Sequence, residues 1–163
     1  MKLELEGISK RFPGVIALDD VSVQIEAGHV HALLGENGAG KSTLIKILSG
    51  ALSPDSGTIP LDGMEYGHLT PDQAFGLGIS TIYQEFNLVP QLTVAENIFF
   101  GREKKKGPFL DRAVMNREAG ALCQEMGIAL DPTAEVKSLG VAYQQIVEIA
   151  KAVSRDARIL IMD

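Results

Sequence analysis

The sequence predicts an α/β fold with a parallel core sheet, an N-terminal antiparallel β portion and a helical subdomain. Three observations carry this. Apolar and polar residues alternate near the start, at Leu3 and Leu5 and again at Val21, Val23 and Ile25, as half-buried strands require. "HVHALL" (29–34) and "ILIM" (159–162) are nearly unbroken apolar runs, the pattern of parallel strands buried on both faces. From residue 85 to about 155 the apolar residues recur mostly at helical spacing.

The elements follow in order. Gly7, the Pro13-Gly14 pair and Gly28 supply turns in the β portion. After a glycine-rich stretch, Leu44, Ile47 and Leu48 share a helix face that Gly50 terminates. Thr70 caps a second helix, with Pro71 at its first position and Gln73 completing a capping box. "ISTIYQ" (79–84) is a strand, and "EKKKGP" (103–108) is a charged surface loop. Met115, Ala119, Leu122, Cys123 and Met126 form one helical stripe; Ala142, Ile146, Ile149, Ala150 and Val153 form another. The expected division is 1–84 for the β portion and core, 85–155 for the helical subdomain and 156–163 for the last strand.

Composition narrows the function. The 163 residues are 45% hydrophobic and 22% charged, within the globular range. A net charge of −6 argues against a nucleic-acid partner, since such domains are usually basic. Cys123 has no partner for an internal disulfide and packs as a small hydrophobe, which fits a reducing compartment. No apolar run approaches the ~20 residues that span a bilayer, and the N-terminus has no signal-peptide core. A cytosolic protein is expected, with a membrane partner still open to it. His29 and His31 have no metal-ligand partner at a suitable spacing and read as structural.

The chemistry concentrates in "GENGAGKS", residues 35–42, which fits G-x-x-x-x-G-K-[ST] throughout. Gly35, Gly38 and Gly40 allow backbone angles in which successive N–H groups converge on phosphate oxygens. The helix beginning near Lys41 adds its N-terminal partial charge. Lys41 reaches β- and γ-phosphates, and the Ser42 hydroxyl ligates Mg²⁺. The nucleotide contacts are thus expected from Gly35, Glu36, Asn37, Gly38, Ala39, Gly40, Lys41, Ser42 and Thr43. Asp163, at the end of an apolar strand, is the matching second metal ligand.

With those motifs in place the chain resembles the ABC transporter ATPases. The opening "ISKRFPGVIALDDVSVQIEAGHVHALLGENGAGKSTL", the segment "STIYQEFNLVPQLTVAENIFFGRE" and the closing "SLGVAYQQIVEIAKAVSRDARILIMD" carry the resemblance, nearest to the first ATPase half of bacterial sugar importers. It implies a P-loop NTPase core, with Asp163 ending the Walker B strand. It implies that Phe12 stacks on adenine. It makes Gln84 the glutamine that reaches Mg²⁺ and the attacking water and links the site to the membrane subunit, while Glu85 to Phe100 lie near that partner. It makes Gly140, Val141 and Ala142 the signature that meets the γ-phosphate of an opposing ATPase. There the usual serine is replaced by Gly140, which still serves as a weaker N-cap.

The resemblance therefore implies an ATP- and Mg²⁺-dependent ATPase on the inner face of the membrane. Its partners would be a second ATPase domain (tandem half or homodimer), permease subunits and, indirectly, a periplasmic sugar-binding protein. The alternatives are a soluble non-transport ABC ATPase and a non-hydrolysing nucleotide-binding module. In the resembling family a catalytic glutamate follows the Walker B aspartate, and a further core strand lies between the phosphate-loop strand and the Walker B strand. Both would come after residue 163. As a 163-residue piece the chain is expected to bind nucleotide at most, to lack part of the core, and to associate through open strand edges.

Overall fold

β1 (Lys2–Phe12) and β2 (Val15–Glu26) are antiparallel, in a register that sets Leu3 opposite Ile25 and Leu5 opposite Val23. The alternation in the sequence therefore places one apolar side of the pair toward the interior, where Leu3, Leu5 and Ile8 are buried. The computed structural model describes residues 2–83 and 87–163, which group into two compact units: Met1–Thr81 with Asp163, and Ile82–Met162.

In the first unit, α1 (Lys41–Leu48) buries Leu44, Ile45, Ile47 and Leu48. β3 (Ser56–Leu61) and β4 (Met64–Tyr66) complete a four-stranded antiparallel sheet of order β2-β1-β3-β4. The β3–β4 hairpin is absent from the sequence reading. Its signal is the Asp62-Gly63 pair, whose two positive φ angles of 49° and 84° match a tight hairpin turn between right-twisted strands. α2 (Pro71–Gly76) carries the expected capping box. Thr70 Oγ1 accepts from the Gln73 N–H at 3.2 Å, and Gln73 Oε1 accepts from the Thr70 N–H at 2.9 Å. β5 (Ile79–Ile82) follows.

The expected strand at 29–34 does not form. That stretch has no regular structure, and Val30 is fully exposed. An apolar run becomes a strand only where a neighbour takes up its N–H and C=O groups, and no paired neighbour for it occurs among the described residues.

The second unit contains α3 (Val94–Ile98), a two-residue hairpin of β6 (Lys105–Lys106) and β7 (Phe109–Leu110), α4 (Arg112–Glu125), α5 (Val141–Val153) and β8 (Ile159–Met162). The loop expected at 103–108 thus contains β6 and the turn of a small hairpin, with Gly107 at φ 63°. Val94, Ala95 and Ile98 of α3, Met115, Ala119 and Cys123 of α4, and Val147 and Ala150 of α5 form one core. The α4 stripe is as predicted. On α5 the face is rotated: Ala142 and Val153 are exposed, and Val147, Glu148, Ala150 and Ala152 are buried. Gln144, Glu148 and Lys151 recur at helical spacing among the apolar residues of α5, and of these Glu148 is buried, where its carboxylate accepts from the Asn87 N–H at 2.6 Å. Among the described residues, no helix is long and apolar enough to cross a membrane.

One buried polar side chain organises the entry to this core. Asn97 Oδ1 accepts from the Val89 N–H at 2.8 Å, and its Nδ2 donates to the carbonyls of Val89, Leu92 and Thr93 at 3.0, 3.2 and 3.0 Å. Asn97→Ala is expected to destabilise the protein by about 1–3 kcal/mol, since it leaves the Val89 N–H without its partner and removes three further bonds to carbonyls beside the apolar core. Urea unfolding checks this; a midpoint unchanged from the parent contradicts it.

Candidate nucleotide site

The loop from Gly35 to Gly40 leaves regular structure before α1 begins at Lys41. Gly38 and Gly40 have φ of 83° and 85°, in the left-handed region that favours glycine. At Gly40 the requirement is doubled. A Cβ there would stand 2.2 Å from the Ala17 carbonyl oxygen and 2.9 Å from Leu18 Cδ2, so the loop is pressed against β2. The Ala39 N–H donates to the Glu36 carbonyl at 3.1 Å, closing a turn inside the loop.

α1 starts without a side-chain cap, and its first internal bond runs from the Leu44 N–H to the Gly40 carbonyl at 3.0 Å. The N–H groups of Lys41, Ser42 and Thr43 therefore point out of the helix start with no carbonyl to meet within it. Lys41 Nζ folds over the loop and donates to the carbonyls of Gly35 and Glu36 at 2.8 and 2.9 Å. A positive ammonium, a set of outward N–H groups and a helix N-terminus thus share one short segment. Ser42, Glu36 and Asn37 are exposed around it. This donor set suits a polyanion such as a chain of phosphates. The Ser42 hydroxyl is a hard oxygen ligand of the kind Mg²⁺ takes.

Phe12 ends β1 with its ring 42% exposed, an open aromatic face on the hairpin that packs against Gly40. Its strand end is anchored. Lys10 Nζ lies 2.6 Å from the Asp55 carboxylate, and the Arg11 N–H donates to the same group at 2.7 Å. Lys10 first, and then the Arg11 amide, hold the Asp55 carboxyl below the usual range. Lys10 Nζ also stands 5.9 Å from the centre of the Phe12 ring.

Asp163 is exposed at the end of β8 and groups with the first unit, which holds the loop. Gln84 lies outside the described residues. Gly140, Val141 and Ala142 are exposed at the start of α5, in the second unit. Gly140 has φ −65° and ψ 157°, ordinary extended backbone, and a Cβ there would meet nothing within 4 Å. Glycine is therefore not needed at this position for backbone geometry or space. The sequence reading overlooked Glu148 and Asn97; each shares its helix with other polar residues, and its burial alone sets it apart.

Fold and loop together define a phosphate-loop nucleotide-binding protein. The chain belongs to the ABC transporter family, whose model matches residues 18–163. It is 60% identical over 161 residues to ribose import ATP-binding protein RbsA 1 of Rubrobacter xylanophilus, covering 99% of this chain and 32% of that protein. It is 52% identical to a putative ribose/galactose/methyl galactoside import ATP-binding protein of Burkholderia ambifaria, again over 99% of this chain and 31% of the relative. The chain thus spans about a third of the length of these curated relatives. Among solved structures, a nucleotide-free ATP-binding cassette from an ABC transporter superposes with a TM-score of 0.84 at 27% identity, covering all of this chain and 69% of the other. The ADP conformation of another such cassette gives 0.82 at 24% identity, covering 98% of this chain and 67% of that one, a likeness of fold.

The open backbone at Gly140 leads to a prediction. Gly140→Ser should fold as the parent does and gain a few tenths of a kcal/mol from the added N-cap oxygen. A thermal melt reads this, and a drop in Tm contradicts it.

Proposed function

We propose that this chain binds ATP with Mg²⁺ at the 35–43 loop and, within a longer protein, couples ATP hydrolysis to import of a sugar of the ribose or galactose class. The observation that carries the reading is the Lys41 ammonium held over a loop whose left-handed glycines and helix start present their N–H groups outward. Relatives named for ribose and galactose import support the sugar class.

Each group has a role in this reading. The N–H groups of Gly38 and of residues 40–43 hold phosphate oxygens, and Lys41 neutralises charge on the β- and γ-phosphates. The Ser42 hydroxyl, Asp163 and Gln84 are the groups that would hold Mg²⁺, which would supply positive charge to offset that of the phosphates. The exposed ring of Phe12 offers adenine a stacking face. The start of α5, at Gly140, Val141 and Ala142, offers N–H groups to the γ-phosphate held by a second ATPase domain. Without a serine hydroxyl at Gly140 that contact rests on backbone alone, so this chain would stimulate its partner's site less than a serine-bearing signature would. The protein works on the inner face of the membrane against permease subunits, fed with sugar by a periplasmic binding protein.

Calorimetry with Mg-ATP tests the reading. Lys41→Ala removes the one mobile positive charge and leaves the loop amides, so affinity should fall roughly 10- to 100-fold, matching ~1.5–3 kcal/mol for a charged hydrogen bond. Equal affinity for parent and variant would overturn it.

A further inference from the structure

A buried carboxylate in the second unit lies outside the ATP site as assigned above. Glu148, on α5, is only 8% exposed and shares the inward face of the helix with Val147 and Ala150. Desolvating a carboxylate is expensive, and an apolar side chain would pack there at less cost. Its contact is specific. Glu148 Oε1 accepts from the backbone N–H of Asn87 at 2.6 Å. One residue short of a helical turn further on, Lys151 Nζ donates to the carbonyl of the same residue at 2.9 Å. Two side chains at i and i+3 on one helix face thus take both polar groups of a single backbone residue. The Lys151 ammonium is itself partly desolvated; burial pushes its pKa down, and the Glu148 charge opposes that.

The grip extends along the chain. Two residues beyond Asn87, Asn97 takes up both the N–H and the carbonyl of Val89. The backbone is therefore held by interior side chains at 87 and 89, just where it enters the helical core. Gln84 stands three residues upstream. Gly140 stands eight residues before Glu148, about 12 Å along the helix axis at 1.5 Å per residue.

We propose that Glu148 and Lys151 are positioning residues that fasten the backbone at Asn87, three residues after Gln84 in sequence, to α5, the helix beginning at Gly140, so that the entry to the helical core and the signature keep one fixed arrangement during turnover. This rests on the reading of Gln84 and Gly140 as parts of the ATP site. The two contacts act on backbone, so the device depends on the carboxylate and ammonium of α5 and not on the side chain at position 87. Its effect falls on turnover, since the loop at 35–43 that holds this chain's own nucleotide lies in the other unit.

The test is made in the full-length protein. Glu148→Ala should raise hydrogen exchange of the Asn87 amide, lower kcat on the order of tenfold, as small misplacements of a positioned group do, and leave Mg-ATP affinity within about twofold. Glu148→Gln keeps an acceptor for the Asn87 N–H and should recover most of the lost kcat, which a general loss of packing would not allow. Wild-type kcat and exchange in Glu148→Ala overturn the proposal, as does a loss of affinity as large as the loss of kcat. If Glu148→Ala does not fold, Lys151→Met decides instead: it removes only the carbonyl contact, and an unchanged kcat there overturns the proposal. A parent that binds Mg-ATP no better than Lys41→Ala points instead to failure of the ATP reading, while amide exchange at Asn87 still reports on the clamp.

Discussion

The contact between Gly40 and the backbone of β2 is the constraint on which the first unit depends. At 2.2 Å from the Ala17 oxygen there is no room for a Cβ, and a φ of 85° is strained for an L side chain in any case. Because the loop lies directly on the strand, the start of α1 is set by the β hairpin. Four apolar residues of α1 then fix its inner face. Its far end closes on another such contact: a Cβ at Gly50 would stand 2.4 Å from the Thr70 carbonyl carbon. The helix is thereby wedged between two glycine contacts. The direction of its N-terminal N–H groups follows from that wedging.

The second unit solves a different problem. Residues 87–93 carry no helix or strand, yet they lead into a core of buried apolar side chains. Backbone groups in such a place must find partners within the protein. Asn97 satisfies four bonds with one side chain, and Glu148 with Lys151 satisfies two more. Apolar packing alone would leave the segment free to slide; polar partners with fixed directions select one path for it.

Local devices were the legible part of the sequence. The glycine loop leading into α1, the Thr70–Gln73 capping box and the placement of Cys123 in the core depend on neighbours a few residues away or on a clear helical period, and all three appear in the structure. The failures share a cause. Residues 29–34 look like a buried strand, but strand formation depends on a pairing partner distant in sequence. The inward face of α5 was misplaced because helical spacing alone does not reveal that Glu148 is buried against the backbone of Asn87, 61 residues away in the chain. Glu148 and Asn97 were invisible as supports for the same reason: a polar residue in a helix does not show from sequence whether it faces solvent or a distant backbone group.

Gly40 and Gly140 each stand at the N-cap of a helix, yet they are glycine for unrelated reasons. Gly40 is held in left-handed backbone against another strand, so its side chain is excluded by geometry. Gly140 sits in extended backbone with open space around its Cα, so nothing in the fold requires glycine there. The first glycine belongs to the architecture and determines where N–H groups point. The second is a matter of chemistry alone: what it lacks is a hydroxyl, and α5 stands without it because Glu148, Val147 and Ala150 secure the helix from its buried side. A helix held that firmly from within can dispense with a capping side chain at its exposed end, which leaves the residue at that end free to vary with function.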